Sequence, residues 1–568
     1  MLSTAFRRNC VSTAKRYAST APQLGHFQIP PIDNEPNLAF KPGSTERGEL
    51  LKALERVKSK TEDIPLVIGG KKIYNDQVFR QPSPYEHQRT VANVSSATEK
   101  QVQDAIKACA DAKRDWENAP WSERASVFLK AADLIGGKYR YDILATTMMG
   151  QGKNAHQAEI DATCELIDFL RFNVKYADEL YAQQPSRNPG GIWNRAEYRA
   201  LEGFVLAITP FNFTAIAGNL SAAPAIVGNT VVWKPSNSAV LSNYLVYKIF
   251  EEAGLPAGVI NFVPGDPNVV GQTAIESNEF AALHFTGSTD VFMNLYQQVA
   301  NNLPKYKSYP RIVGETGGKN FHVLHPSAQV SHAAKNTVRG AFEFQGQKCS
   351  ATSRVFVPES LWPQYKKELQ EEIAALEVGD ATTKEGFHKF SGPVIHEGSF
   401  NKLSKVIADS LQDPSLELVA GGKVDGSVGY YVSPTVFQTK DIDHNNMKTE
   451  FFGPVVTCYV YKDGEYEQIL EKVDSSTKYG LTGAIFAQDR AAIELANDKL
   501  RNAAGNFYIN DKCTGSVVAQ QWFGGGRMSG TNDKAGSPNL LNRFVSVRSV
   551  KENFNELPSI FYPSNAKE

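Results

Sequence analysis

The sequence predicts an α/β protein built on a parallel sheet that is covered by helices on both faces. From residue 203 onward, apolar segments of strand length alternate with helical segments, with strands predicted at 203–208, 230–235, 259–263 and 281–286. Helices are predicted after Thr214, over 238–253 and after each of the two later strands. Strands that are apolar throughout are buried on both faces, which is typical of parallel sheets. Ligands of such sheets lie beyond the carboxyl ends of the strands.

The segments on either side of this region complete the predicted architecture. Residues 100–118, 121–148 and 154–180 have helical apolar spacing. The stretch that follows breaks this pattern at Pro189, Gly190 and Gly191, and it predicts a hairpin that leaves the domain body. A second α/β segment is predicted from about residue 316 to 525, followed by a mixed polar and aromatic tail.

Composition limits the classes of function. The 568 residues are 42% hydrophobic and 21% charged with a net charge of −1, which gives no electrostatic basis for a nucleic-acid partner or a membrane surface. The uncharged stretch 203–233 is interrupted by Pro and Asn too often for a lipid-exposed helix, so no membrane span is predicted. The six cysteines form no CxxC pair, which argues against a disulfide framework or a metal site and favours a reducing compartment.

The amino-terminal residues have the composition of a targeting segment. Four basic residues and many Ser, Thr and Ala precede the first acid, Asp33. This pattern predicts a mitochondrial presequence over residues 1–18, with a basic tail that lacks structure as the alternative.

Polar residues follow the predicted strands where a ligand of the sheet would bind. Asn212 follows the first strand, Lys234 and Ser236 follow the second, and Gly287 and Ser288 lie before a helix whose free N–H groups suit a pyrophosphate. Each has an ordinary alternative: a turn asparagine, a solvated lysine, and a loop that is not the GxGxxG fingerprint.

Two further residues suit covalent chemistry. Glu315 follows an apolar strand, and a carboxyl group in an apolar site has a raised pKa and can act as a base near neutrality. Cys349 lies in "FEFQGQKCSATSRVFV", where Lys348 supplies an adjacent positive charge that could favour the thiolate. A turn acid and a core thiol are the respective alternatives.

The motifs taken together resemble the aldehyde dehydrogenase superfamily over most of residues 60–540. The shared motifs are "PFNFT", "WKPS", "FTGST", "ETGGKN", "FEFQGQKCSA" and "EFFGPV", in that order and spacing. Within the superfamily, "ETGGKN", "GQKCSA", "DKCTGSVVAQQWFGGGRMSGTNDKAG" and the leader resemble the branch that oxidises L-glutamate γ-semialdehyde to L-glutamate in proline catabolism. That branch implies NAD as cofactor, a mitochondrial matrix location, and a homodimer or a larger homo-oligomer.

The resemblance also implies a division of the chain. It assigns a presequence (1–18), an arm with the helical part of the NAD-binding domain (19–185), an oligomerisation hairpin (186–202), the Rossmann-like NAD-binding domain (203–315), the α/β catalytic domain (316–525), and a carboxyl-terminal segment with an oligomerisation tail (526–568).

The resemblance implies three catalytic residues. Cys349 would attack the aldehyde, and the Asn212 amide with the Cys349 backbone N–H would hold the resulting oxyanion. Glu315 would be the base for the water that hydrolyses the thioester.

For NAD, the resemblance assigns Lys234 and Ser236 to the adenosine ribose and Gly287 and Ser288 to the pyrophosphate. It assigns Glu450 and Phe452 to the nicotinamide ribose. The chain departs from the usual pattern at Phe292, where many members have Gly, and at Asn237, where NAD-selective members often have Glu.

For the substrate, the resemblance assigns Gly515 and Ser516 to the carboxylate, and Ser350 could add a hydrogen bond. Phe213 and Phe523 would enclose the methylene chain, and Glu165 would bind the ammonium group. The alternatives are a dehydrogenase for succinate semialdehyde, which would want an Arg in the pocket, a CoA-acylating dehydrogenase, which generally lacks the hydrolytic Glu, and a non-catalytic NAD-binding structural protein.

Overall fold

The computed structural model describes residue 25 and residues 27–567. The predicted presequence, residues 1–18, lies outside the described residues. After an extended arm, the first part of the chain forms small strands and a set of helices. These elements are α1 (Thr45–Lys58), β1 (Glu62–Ile64), β2 (Leu66–Ile68), β3 (Lys71–Ile73), β4 (Val78–Ser83), β5 (Glu86–Ser95), α2 (Glu99–Glu117), α3 (Trp121–Gly136), α4 (Arg140–Gln151), α5 (Ala155–Ala158), a π-helix (Glu159–Glu165) and α6 (Leu166–Tyr181).

The next part alternates strand and helix as the sequence predicts. It comprises β6 (Ile192–Ala200), β7 (Phe204–Ile208), α7 (Thr214–Ile226), β8 (Thr230–Lys234), α8 (Val240–Ala253), β9 (Ile260–Phe262), α9 (Pro267–Glu276), β10 (Phe280–Thr286), α10 (Thr289–Asn302) and β11 (Arg311–Glu315). The predicted helix over 121–148 is two helices, α3 and α4, because the chain leaves helical geometry at Gly137 (φ −107°, ψ −96°).

The remaining residues form a second α/β unit and a return segment. Its elements are β12 (Asn320–Leu324), α11 (Val330–Phe342), β13 (Thr352–Pro358), α12 (Trp362–Ala374), α13 (Glu397–Gln412), β14 (Leu416–Ala420), β15 (Val424–Asp425), β16 (Tyr431–Val432), β17 (Thr435–Thr439), α14 (Asn445–Lys448), β18 (Val455–Tyr461), α15 (Tyr466–Ser475), β19 (Tyr479–Gly480), β20 (Thr482–Phe486), α16 (Arg490–Lys499), β21 (Asn506–Ile509), β22 (Gly526–Arg527), α17 (Pro538–Asn542) and β23 (Val545–Asn553).

Two seven-stranded sheets form the framework. The first has the order β11-β10-β7-β8-β9-β2-β3, in which β7 to β11 are parallel and β2 and β3 extend the edge antiparallel. The second has the order β14-β17-β18-β13-β12-β20-β21 and is parallel except for β14. Strands β8 and β12 are buried along their whole length, which explains why apolar residues predominate in them.

The strand order places the ligand-binding edge. In the first sheet β8 and β9 lie on one side of β7, and β10 and β11 lie on the other. The strand order therefore reverses at β7 and leaves a crevice at its carboxyl end. Residues 209–213 lie there, next to Gly287 and Ser288 after β10. Strand β11 ends at Glu315, and only four residues separate it from β12 of the second sheet. The carboxyl-terminal edge of the first sheet therefore adjoins the amino-terminal edge of the second, where Asn320 at the start of β12 bonds the Cys349 carbonyl ahead of β13.

The predicted hairpin is built differently from the expectation. Residues 192–200 form β6, but its antiparallel partner is β23 from the carboxyl-terminal tail, in register from Ile192–Asn553 to Ala200–Val545. The two-stranded ribbon therefore joins two distant segments, because the residues next to β6 in sequence lead directly into β7 of the main sheet. In the described part of the chain, none of the helices is both long and apolar enough to cross a bilayer.

Candidate active site

A cavity of about 520 Å³ opens in the cleft, and most of the predicted catalytic and substrate residues line it. The residues from that prediction that form its wall are Cys349, Phe213, Glu165, Ser350, Gly515, Ser516 and Phe523. They come from both units and lie far apart in the sequence. The fold thus brings the predicted substrate site together in one place.

The turn that carries Cys349 has an unusual backbone. Helix α11 ends at Phe342, and Phe344 and Gln345 adopt left-handed conformations with φ of 53° and 54°. The buried Gln345 side chain donates hydrogen bonds to the carbonyl oxygens of Gly152, at 3.0 Å, and Pro393, at 2.7 Å. A backbone of this kind persists only where the surroundings hold it, and such residues cluster at functional sites.

The Gly pair of "ETGGKN" allows the close approach of the cysteine loop. A Cβ atom on Gly318 would lie 2.5 Å from the Cys349 carbonyl oxygen, and one on Gly317 would overlap the Glu450 carboxylate. Asn320 Nδ2 donates to the same Cys349 carbonyl at 2.7 Å. Any side chain at 317 or 318 would therefore push the nucleophile loop or Glu450 out of position.

The thiol of Cys349 is protonated at neutral pH in this environment. Its pKa is raised to about 12, first by burial and then by the carboxyl groups of Glu315 and Glu450, while the N–H groups of Ser350 and Cys349 oppose the shift. The sequence-based expectation that Lys348 favours the thiolate is wrong. The Lys348 ammonium is paired with Glu343 at 2.5 Å, so its charge is largely neutralised by that carboxylate.

Asn212 points its amide at the loop of the nucleophile. The side chain is buried, and Nδ2 donates to the Gln347 carbonyl oxygen at 3.1 Å, two residues before Cys349. A primary amide carries two N–H donors, so one remains for another acceptor. This donor and the Cys349 backbone N–H can together form an oxyanion site.

The Glu315 carboxyl group lies close enough to the Cys349 thiol for its charge to raise the pKa of the thiol. Burial raises the pKa of Glu315 well above its usual range, and the Gly525 N–H, at 3.3 Å from Oε2, and the Lys534 charge oppose the shift. A carboxyl group with a raised pKa is a stronger base than an exposed one.

The residues predicted to bind the adenosine ribose lie at the carboxyl end of β8. Lys234 is buried, and burial lowers its pKa to about 8. Among the described residues its ammonium group donates one hydrogen bond, to Asn237 Oδ1 at 3.1 Å, and Ser236 is half-buried beside it. The two remaining donors of Lys234 suit hydroxyl groups of a ribose.

The residues predicted for the rest of NAD lie along the same cleft. Ser288 caps the amino terminus of α10, and Gly287 precedes it with its N–H bonded to the Glu315 carbonyl at 3.1 Å. The Glu450 carboxylate accepts from the Gly318 N–H at 2.8 Å, and burial raises its pKa. Its second oxygen can accept from ribose hydroxyl groups, so the residues present fit a dinucleotide.

Phe292 and Phe452 occupy defined positions around this cleft. Phe292 replaces the usual Gly and stacks on Phe285 at 5.4 Å between ring centroids, so it fills the space beside Gly314. Phe452 has a left-handed backbone with φ of 55°, and its ring packs edge-on against Phe211 at 5.8 Å.

Part of the cavity wall is polar. Glu165 ends the π-helix, and burial raises its pKa to about 8, with Asp161 adding to the shift and Lys153 opposing it. Across from it, Gly515 has a φ of +89°, and the hydroxyl groups of Ser350 and Thr514 lie 2.7 Å apart. The loop 515–518 therefore offers backbone N–H groups and hydroxyl groups where an anion could bind.

Sequence reasoning missed several residues of the wall. The arm residues 34–37, His156, Asp168 and Lys512 also line the cavity. Asn34 Nδ2 donates both to Asp168 Oδ2 at 2.8 Å and to the Val518 carbonyl at 2.9 Å, although Asn34 and Val518 are 484 residues apart. The arm lies outside every motif, so no local sequence pattern indicates that it reaches the site.

Comparison with known proteins agrees with this geometry. The model of the aldehyde dehydrogenase family matches residues 74–550, and the chain belongs to that family. The chain is 56% identical over 545 residues to the delta-1-pyrroline-5-carboxylate dehydrogenase, mitochondrial, of Emericella nidulans, which covers 95% of each chain. It is 50% identical over 521 residues to the protein of that name in Homo sapiens, which covers 92% of each.

A solved structure gives the same result for the fold. The crystal structure of the delta-pyrroline-5-carboxylate dehydrogenase from Mycobacterium tuberculosis bound with NAD superimposes with a TM-score of 0.92 at 46% identity. The match covers 96% of this chain and all of that chain. The prediction of the fold class is confirmed.

Proposed function

We propose that the protein is an NAD-dependent dehydrogenase that oxidises L-glutamate γ-semialdehyde, which forms by hydrolysis of 1-pyrroline-5-carboxylate, to L-glutamate. This is the second step of proline catabolism. The observation that carries the proposal is that one cavity is lined by a thiol, an acid and a loop with backbone N–H and hydroxyl groups. Relatives with this activity in their names match nearly the whole chain.

The shape of the cavity suits a substrate with one reactive and one charged end. The aldehyde would lie against Cys349, and the ammonium and carboxylate groups would lie against Glu165 and the loop of Gly515 and Ser516. Either charged group would cost several kcal/mol, to an order of magnitude, if it were buried without a partner. Phe213 and Phe523 supply apolar surface between the two ends.

The reaction begins with attack by Cys349 on the aldehyde carbon. Because the thiol pKa is raised to about 12, the thiol passes its proton to a water molecule as the carbon–sulfur bond forms. Negative charge then develops on the aldehyde oxygen, where the free N–H of Asn212 and the Cys349 backbone N–H can stabilise it. Removing one such donor typically costs about 10²- to 10³-fold in kcat.

NAD, when bound, supplies the acceptor for the hydride that leaves the aldehyde carbon. Lys234, Ser236, Gly287, Ser288, Glu450 and Phe452 are the residues proposed to hold it. The Glu315 carboxylate, in its ionised form, then takes a proton from water, which attacks the thioester on Cys349 and releases glutamate. The raised pKa of Glu315 makes this carboxylate a stronger base than an exposed one.

The wall of the cavity also distinguishes this substrate from a related one. A succinate semialdehyde enzyme would want an Arg in the pocket, whereas the described wall carries Lys348 and Lys512 as its long cations and Glu165 as an acid. An acid at that point favours a substrate that carries an ammonium group.

We further propose a mitochondrial matrix location and a homo-oligomer. The relatives from Emericella nidulans and Homo sapiens are named as mitochondrial, and the basic leader of this chain supports the same location. The ribbon of β6 and β23 and the exposed apolar tail residues Phe554, Leu557, Ile560 and Phe561 support contact with a second copy.

The test is an assay of the purified protein with 1-pyrroline-5-carboxylate and NAD, followed by NADH absorbance. We expect NADH formation that is faster than with succinate semialdehyde, independent of CoA, and absent in the Cys349→Ala variant. No NADH formation, or faster turnover of succinate semialdehyde, would reject the proposed function.

A further inference from the structure

A fully buried ion pair packs against residues next to the proposed catalytic residues. The Lys153 ammonium lies 2.6 Å from Asp161 Oδ2, and both side chains are shielded from solvent. A buried pair of this kind is weak support for stability, because desolvation offsets most of the attraction between the charges. Its contacts with the active site suggest another role.

Asp161 holds the segment that carries Asn212. Its carboxylate accepts hydrogen bonds from the backbone N–H groups of Thr214, at 3.0 Å, and Ala215, at 2.8 Å. These are the first two residues of α7, so the carboxylate occupies the amino terminus of that helix, where a negative charge is favoured. The segment Asn212–Phe213 immediately precedes them.

Lys153 contacts residues that flank both halves of the oxyanion site. Its ammonium lies 4.2 Å from the centroid of the Phe213 ring and 4.5 Å from the centroid of the Phe344 ring. Phe213 follows Asn212, and Phe344 lies in the left-handed turn that leads to Cys349. Cation–π contacts of a desolvated ammonium are among the stronger ones.

The neighbours of Lys153 strengthen the same connection. Gln151 Nε2 donates to the Phe211 carbonyl at 2.6 Å, while the Gly152 carbonyl accepts from Gln345 Nε2 at 3.0 Å. The residues 151–153 at the end of α4 therefore touch the Asn212 loop on one side and the cysteine turn on the other.

We propose that Lys153 is a positioning residue that, together with Asp161, holds the amide of Asn212 in place against the turn that carries Cys349. The inference rests on the proposed function, since it assigns Asn212 and Cys349 their roles. Neither residue of the pair lines the cavity, so they would act on the reaction through Asn212, Phe213 and Phe344 and not by touching the substrate.

The experiment measures kcat and KM of the full chain with glutamate semialdehyde and with pentanal, which lacks both charged groups. Lys153→Met removes the charge and keeps the length of the side chain. It is expected to lower kcat at least about tenfold with both aldehydes, because a displaced Asn212 affects every oxyanion. The KM for NAD is expected to stay within about twofold of its original value.

Two further variants separate positioning from stability. Lys153→Met/Asp161→Asn removes both buried charges, so it should unfold at a higher temperature than Lys153→Met while its kcat stays low. Glu159→Gln is the matched control, because Glu159 is a buried carboxylate of the same π-helix that bonds Arg140 instead of α7. This control is expected to lower the unfolding temperature and to leave kcat per folded molecule within about twofold.

The outcomes distinguish this inference from the proposed function. An original protein without activity rejects the proposed function. An active original protein with a Lys153→Met variant whose kcat is within about twofold, per folded molecule, rejects the positioning role. If Lys153→Met does not fold, the double variant is measured in its place, and a kcat within about twofold of the original likewise rejects the role.

Discussion

The pKa of Glu165 predicts how substrate binding depends on pH. This pKa is raised to about 8, mainly by burial and also by Asp161 and Asp168, while Lys153 and Lys348 oppose the shift. At about pH 7, only about one carboxyl group in ten is therefore ionised. The substrate ammonium needs the ionised form, so the apparent affinity is reduced by that fraction.

The ionised fraction of Glu165 sets the size of the expected change in KM. Between about pH 7 and about pH 9 the ionised fraction rises about tenfold, so the KM for glutamate semialdehyde should fall about tenfold. Glu165→Gln should raise the KM and remove its dependence on pH in this range, because a neutral amide cannot pair with the ammonium group.

The assay is initial NADH formation at saturating NAD across this pH range. The matched substrate is 5-oxopentanoate, which keeps the aldehyde and the carboxylate but lacks the amine, so its KM should not fall as Glu165 ionises. A flat KM profile for glutamate semialdehyde in the original protein would refute the reasoning. An unchanged slope in Glu165→Gln would refute it equally.

Three other predictions follow from the site. Alkylation of Cys349 by iodoacetamide in the cofactor-free protein should accelerate steadily from about pH 7 to about pH 10 without a plateau, because the thiol pKa is about 12; a plateau near neutrality would contradict this. Gly515→Ala should raise the substrate KM and cost about 1 kcal/mol of unfolding free energy or more, since φ is +89° there; unchanged values in kinetics and thermal unfolding would count against the loop. Lys234→Met should weaken NAD binding in a fluorescence titration yet stabilise the free chain at about pH 7. The pKa of Lys234 in the folded protein is about 8, below the ordinary value of 10.5, so the unfolding free energy of the original protein rises with pH between these two values. The variant should lose this rise, and a variant that retained it would contradict the assignment.

The sequence predicts the fold of the central region closely, because burial on both faces produces an unmistakable pattern. Strands β7, β8 and β10 begin and end within a residue or two of the predicted bounds. Helices α3 and α4 show where such reasoning fails, since apolar spacing continues across Gly137 and hides the break. The partner of β6 could not be predicted either, because pairing of distant strands leaves no local signal.

The motifs predict Cys349, Asn212 and Glu315 as catalytic residues, and these assignments stay predictions. The electrostatics of the site could not be predicted, because the charge beside the thiol depends on which side chains meet in space. Lys348 is adjacent in sequence and pairs with Glu343, while Glu315 and Glu450 approach from other elements and raise the thiol pKa. The contribution of the arm through Asn34 depends equally on the tertiary fold.

The most direct test of the account is to trap the acyl group on the protein. The Glu315→Gln variant, mixed with 1-pyrroline-5-carboxylate and NAD, should form about one NADH per active site and then stop, because the thioester can no longer be hydrolysed. Mass spectrometry should then find the glutamyl group on the peptide that contains Cys349. A modification on another residue, or continued turnover without any modification of Cys349, would contradict the assignment of Cys349 as the nucleophile.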